Sequence, residues 1–147
     1  MSGFKVEQLD HVHVYVADQY AAAGWYKKIL GMEIVEEVED WAADGPLTIS
    51  SDGGSTALAL FDQKARNFEG PRRQTIAFRV GGEAFLQFLE RLETHPVEGT
   101  EGRPLARADV EDHEHSLSVY FTDPDGNPYE LTTYDHALVR ERLREAS

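Results

Sequence analysis

A chain of 147 residues and 16.5 kDa has the size of one domain with one core, and its 41% hydrophobic content includes no apolar run near the ~20 residues that cross a bilayer. With 27 acidic residues against 14 Lys and Arg, the formal charge of −13 repels a polyphosphate backbone, so nucleic acid and membrane are both set aside as partners. The absence of cysteine removes disulfides, thiolate nucleophiles and thiolate metal sites, and the first nine residues lack the apolar stretch of a secretory signal, so a cytoplasmic location is expected and any metal must take imidazole and carboxylate ligands.

Residues 9–16, Leu-Asp-His-Val-His-Val-Tyr-Val, alternate with period two. This predicts a strand with Val12, Val14 and Val16 on one face and His11, His13 and Tyr15 on the other. Asp18 is placed to cap a helix over residues 20–30, where Ala22, Trp25, Tyr26, Ile29 and Leu30 recur at helical spacing until Gly31 ends it. Extended stretches are predicted at 32–39, 47–50 and 56–62, divided by the turn signals Asp44-Gly45-Pro46 and Asp52-Gly53-Gly54. A polar, Arg-rich connector over 63–73 leads to an alternating strand at 74–80 and a helix at 83–92 with Phe85, Phe88, Leu89 and Leu92 inward. Two short strands are expected within 96–109. Strands at 117–121 and 129–134 then flank the turn Asp123-Pro124-Asp125-Gly126-Asn127-Pro128, and an amphipathic helix covers 136–145. The order β-α-β-β-β thus occurs twice, in module one over about 6–62 and module two over about 74–134. The fold class is α+β, a single domain whose two modules curl around a central cup.

His11 and His13 lie two positions apart on one strand face, ~7 Å along the chain, and can converge on one ion or stand as separate polar residues of the cup. On the last strand Glu130 shares a face with Thr132 and Tyr134. A carboxylate there can complete an imidazole-carboxylate site open on one side, as catalytic metals require, or be an edge-strand charge. Arg79, on the face of Thr75, can meet a ligand carboxylate or pair with Asp10 or Glu130. Tyr15, Phe61 and Tyr134 can stack on an aromatic ligand or pack among themselves, and the run Asp112-His113-Glu114-His115 is either a solvated loop or a source of acid-base groups. His95 and His136 have no partner visible in the sequence and read as surface residues.

Three segments carry a family likeness: Leu9-Asp10-His11-Val12, the stretch Trp25-Tyr26-Lys27-Lys28-Ile29-Leu30-Gly31-Met32, and Tyr120-Phe121-Thr122-Asp123-Pro124-Asp125-Gly126-Asn127-Pro128-Tyr129-Glu130. Together they resemble the vicinal oxygen chelate superfamily, which includes glyoxalase I, extradiol dioxygenases, fosfomycin-resistance thiol transferases and bleomycin-binding proteins. The resemblance implies paired modules forming an incompletely closed eight-stranded barrel, a divalent metal (Fe²⁺, Mn²⁺, Zn²⁺ or Ni²⁺), a small-molecule substrate and a homodimer. It places His11 and Glu130 at two of the three usual ligand positions. Thr75 stands where the third, a histidine, is expected, so the ion binds weakly, recruits His13 or is absent. The acidic ligand of glyoxalase is missing too, since Ala57, Ala59 and Phe61 face the cup there. The extradiol likeness, in which His113, Tyr120 and Glu130 fit a signature apart from Glu111 at its first position, gives His113 or His115 a proton-shuttling role and Tyr120 an orienting one. The resulting expectation is a metal-dependent enzyme, nearer the dioxygenases than glyoxalase. The alternative is a metal-free binding protein of the bleomycin-resistance kind, and thiol transfer ranks last because that group usually keeps the histidine replaced by Thr75.

Overall fold

The computed structural model describes residues 4–5, 7–66 and 74–146, so positions 67–73 of the Arg-rich connector lie outside the described residues. The chain divides into two compact units, residues 1–70 and 71–147, each with its own mixed sheet.

In the first unit the sheet order is β1-β4-β3-β2. It is built from β1 (His11–Val16), β2 (Glu33–Ile34), β3 (Leu47–Ser50) and β4 (Ala57–Asp62). Helix α1 (Gln19–Leu30) starts where the Asp18 carboxylate accepts the backbone N–H groups of Tyr20 and Ala21, at 3.1 and 3.0 Å. It ends at Gly31, whose φ of 69° is the left-handed conformation a side chain would strain. The apolar stripe Ala22, Ala23, Tyr26 and Ile29 is buried, as are Val14, Val16, Leu58 and Leu60. The alternation predicted for β1 therefore holds, and its valine face belongs to the core.

One extended stretch is corrected. Residues 32–39 form a strand only at Glu33–Ile34, and the chain then turns into a 3₁₀ helix over Glu36–Ala43, kinked at Val38. Val35, Val38 and Trp41 are spaced by three, the 3₁₀ period, whereas a strand would need every second residue apolar.

In the second unit the order is β5-β9-β8-β6, with β7 paired to β8. The strands are β5 (Ile76–Arg79), β6 (Glu98–Gly99), β7 (Glu111–Asp112), β8 (Leu117–Thr122) and β9 (Pro128–Thr133). Of the two short strands expected within 96–109, only β6 falls there. Strand β7 lies just beyond, in a charged segment whose hairpin is set by Glu114 at a φ of 74° and by His113 N–H donating to Ser116 C=O at 2.9 Å. Short helix α2 (Gln63–Arg66) opens the connector in the first unit; α3 (Gly82–Arg91) and α4 (His136–Glu145) belong to the second. Leu117, Val119, Phe121, Tyr129 and Leu131 are buried with Phe85, Phe88 and Leu89 of α3, the Phe88 and Phe121 rings being 5.7 Å apart. Helix α3 has no side-chain cap of its own; Asp135 accepts the Gly82 N–H at 2.7 Å instead. A Cβ on Gly82 would lie 2.9 Å from that of Asp135, so this close approach requires glycine. No helix among the described residues is long and apolar enough to cross a membrane.

Candidate functional site

The polar face of the first sheet gathers the histidines. His11, His13 and Tyr15 pair in register with Ala57, Ala59 and Phe61 of β4. The two alanines leave open space beside the imidazoles, while the His13 ring packs on Phe61 at 4.6 Å and Tyr15 stacks on Phe61 at 5.9 Å. The imidazoles lie nearly parallel, with Nε2 of His11 only 3.1 Å from Nε2 of His13. Their other edge is tethered: Asp10 Oδ2 sits 2.7 Å from His11 Nδ1. A carboxylate on Nδ1 keeps the proton there and leaves the Nε2 lone pair directed at its neighbour, the outer-shell arrangement of metal-binding histidines. Two nitrogens bound to one ion at about 2.1 Å, at roughly 95–110° to each other, stand about 3.1–3.4 Å apart. The His11–His13 separation fits that donor set.

Beside His11 opens a cavity of about 290 Å³. Val35, which precedes the 3₁₀ helix, and Val38 and Trp41 within it line this cavity together with Ala57 and Ala59. A small apolar group is accommodated there next to the imidazole pair.

On the polar face of the second sheet stand Glu130, Thr132, Ser118 and Tyr120, joined by the pairings Tyr120 with Glu130 and Ser118 with Thr132. Strand β9 lies between β5 and β8, so Glu130 is not an edge charge. Ser118 is fully buried and its hydroxyl donates to Glu130 Oε2 at 2.8 Å, with Thr132 Oγ1 at 3.0 Å behind it. Turn residue Asp123 makes this register rigid. Its carboxylate accepts the N–H groups of Asp125 and Asn127 and the Asn127 amide, at 2.9, 2.8 and 2.7 Å.

Tyr120 O–H and His113 Nε2 are 3.1 Å apart. Burial first, and then the carboxylates of Glu130 and Glu111, hold the Tyr120 phenol above its usual pKa, so at neutral pH it keeps its proton and can donate it. His113 is brought to Tyr120 by the β7–β8 hairpin, which Arg140 of α4 fastens: its guanidinium donates to both Asp112 oxygens, at 2.7 and 2.9 Å, and to the Glu114 carbonyl at 2.9 Å. That pairing is the main cause of an Asp112 pKa depressed to about 2. His115 is not part of the pair. Its ring meets His136 edge-on at 6.4 Å.

Thr75 is exposed immediately before β5, where Ala77 pairs with Glu130 and Arg79 with Thr132. Arg79 makes no ion pair with Glu130; its guanidinium lies over the exposed Tyr134 ring, 5.9 Å from the centroid. Among the described residues, no group of three or more His, Asp or Glu side chains is arranged to hold a metal ion. The donors converge instead within each unit, His11 with His13 in the first, Glu130 with its hydroxyl partners in the second. Asp10 as the partner of His11, Ser118 as the partner of Glu130, and the cavity wall at Val35, Val38 and Trp41 are features the sequence did not announce. Counting outward from the Asp123 turn would have set Ser118 diagonally across from Glu130, and the spacing of three would have exposed the 3₁₀ face.

The model of the Glyoxalase/Bleomycin resistance protein/Dioxygenase superfamily matches residues 8–131. Metallothiol transferase FosB of Staphylococcus epidermidis is 30% identical over 131 residues, 88% of this chain and 83% of that protein. FosB of Staphylococcus saprophyticus is 31% identical over 140 residues, 94% of this chain and 82% of that one. Solved structures share the fold. Lactoylglutathione lyase from Agrobacterium tumefaciens matches with a TM-score of 0.62 at 20% identity, over 88% of this chain and 96% of its own. The fosfomycin resistance protein FosX from Listeria monocytogenes matches at 0.61 and 19%, over 88% and 94%.

Proposed function

The chain belongs to the Glyoxalase/Bleomycin resistance protein/Dioxygenase superfamily, and from that premise we propose that it is a divalent-metal-dependent enzyme transferring a thiol to a small oxygen-bearing molecule. The sequence placed thiol transfer behind ring-cleaving oxygenation because of Thr75. Likeness to curated thiol transferases over more than four-fifths of their length reverses that order. His11, His13 and Glu130 would hold the ion, with His13 in place of the imidazole that Thr75 lacks. The observation carrying this reading is the 3.1 Å approach of two Nε2 atoms with Asp10 behind one of them. When bound, the ion supplies Lewis-acid polarisation of a substrate oxygen.

The chain's own residues do the rest. Opening a C–O bond with a thiolate forms a C–S bond and leaves an oxyanion that must take a proton. Tyr120, held protonated, is the donor on the Glu130 face, and His113 at 3.1 Å resupplies it. Val35, Val38 and Trp41 seat the apolar part of the substrate beside His11 and exclude water from it.

Metal content after dialysis against Zn²⁺ or Mn²⁺, followed by thiol consumption with a panel of small electrophiles, tests the proposal. Near one ion per chain, lost in His11→Ala and in Glu130→Ala, is the expected result. Unchanged metal content in both variants would refute it. The His113–Tyr120 contact also favours a second reading, extradiol oxygenation, in which catechols under air with added Fe²⁺ or Mn²⁺ give ring-cleaved products instead.

A further inference from the structure

The opposite face of the second sheet holds a cavity that the proposed chemistry does not use. Residues alternate across β8, so Leu117, paired with Asp112, faces the helices while Ser118, paired with Glu111, faces Glu130. Between Leu117, helix α4 and the short 3₁₀ turn Arg107–Asp109 lies a space of about 410 Å³. Its apolar lining includes Val110, Leu117 and Leu143, and its charged lining is Arg107 together with Arg140 and Asp112, which pair with each other.

The two guanidinium groups differ. Arg140 is engaged by Asp112 and the Glu114 carbonyl, which leaves it little capacity for a ligand. Arg107 is exposed, and among the described residues its side chain has no hydrogen bond or ion pair. That is notable in a chain where acids outnumber Lys and Arg by 27 to 14. Nor is Arg107 on a loose loop. Asp109 accepts both arms of Arg103, at 3.0 and 2.7 Å, and the Ala106 N–H at 2.8 Å, so the turn presenting Arg107 is fixed.

We propose that this cavity binds a small aliphatic carboxylate, its alkyl body on Val110, Leu117 and Leu143 and its carboxylate on Arg107. Each part of the ligand answers one observation. The apolar lining calls for an apolar body, since burying it removes hydrocarbon from water. The unpaired planar guanidinium calls for an anion that accepts in its plane, which carboxylates do bidentately. A single charge suffices, because a polyanion would meet the net −13 of the chain and leave the apolar wall uncovered. The site is on the face away from Glu130 and Tyr120, so it stands or falls independently of the metal-dependent reading.

The test is titration of the full chain with octanoate, octanol and octylamine, followed by backbone amide NMR and calorimetry. Octanoate should bind saturably, one per chain, about tenfold or more tighter than octanol, with shifts at Val110, Leu117 and Leu143. Arg107→Gln should abolish the preference while octanol still binds, which separates loss of the charge from loss of the fold. Arg107→Lys should keep part of it. Equal binding of octanoate and octanol to the unmodified chain would overturn the proposal. So would an Arg107→Gln variant with unchanged octanoate affinity, shifts confined to other surfaces, or a dimer that buries Leu143 and excludes octanoate.

Discussion

On the polar face of β1 and β4 two imidazoles lean together over an alanine floor, whereas on that of β8 and β9 a carboxylate and a phenol are held by hydroxyls and a neighbouring histidine. In each unit a strand and a helix are followed by further strands, three in the first unit and four in the second, and the same alternation turns valine and leucine to a helix on the other side. The contrast teaches that the repeated scaffold leaves its polar faces free to differ. The first is equipped with nitrogen lone pairs and room, the second with negative charge and an ionisable proton.

The largest effect expected from breaking this contrast is His11→Ala. It should weaken divalent-metal affinity by more than about 100-fold, beyond the ~10–100-fold of an outer-shell change, as read by competition with a chromophoric chelator. Asp10→Asn tests the tether rather than the ligand. Metal affinity should fall by about tenfold while the fold, followed by circular dichroism, is unaltered. An equal loss in both variants would mean that Asp10 is itself a ligand.

Thr75→His would make the second face resemble the first. With an imidazole beside the Ala77–Glu130 pair, metal binding should tighten by about tenfold, and no gain would show that position 75 does not face the ion. Smaller again is the response of Tyr120. Because a nearby carboxylate disfavours the phenolate, Glu130→Gln should lower the Tyr120 pKa in an ultraviolet titration, yet leave it above an ordinary tyrosine because burial, the larger cause, remains.

The smallest effect concerns the hairpin carrying His113. Asp112 has its pKa lowered to about 2, so the stabilisation from its Arg140 pair is complete above the ordinary aspartate range and disappears as pH falls through about 2. Carboxyl NMR should find Asp112 titrating near that value, and Arg140→Ala should move it back toward an ordinary aspartate. An unmoved midpoint would remove Arg140 as the clasp of the hairpin.

Much of this was legible in the sequence where a side-chain period governs structure. The period-two run from His11 to Val16 set both faces of β1, Asp18 and Gly31 bounded α1, and the Asp-Pro-Asp-Gly-Asn-Pro turn fixed Glu130 on the polar face of β9. Legibility failed where geometry is local. The 3₁₀ helix Glu36–Ala43 hides behind β-branched residues that favour strands, and β7 exists through one left-handed residue and one turn hydrogen bond rather than through apolar alternation. The candidate site divides in the same way. Which residues share a face follows from counting, but that His13 turns its Nε2 to His11, that His115 turns instead to His136, and that Ser118 caps Glu130 depend on rotamers no spacing encodes.

Whether His11 and His13 bind one ion together is decided by long-range ¹⁵N NMR of the imidazole nitrogens during a Zn²⁺ titration. Nε2 of His11 and of His13 should shift together, saturating at one ion per chain, while His95, His115 and His136 stay in place. Movement of His11 without His13, or of neither, would contradict it.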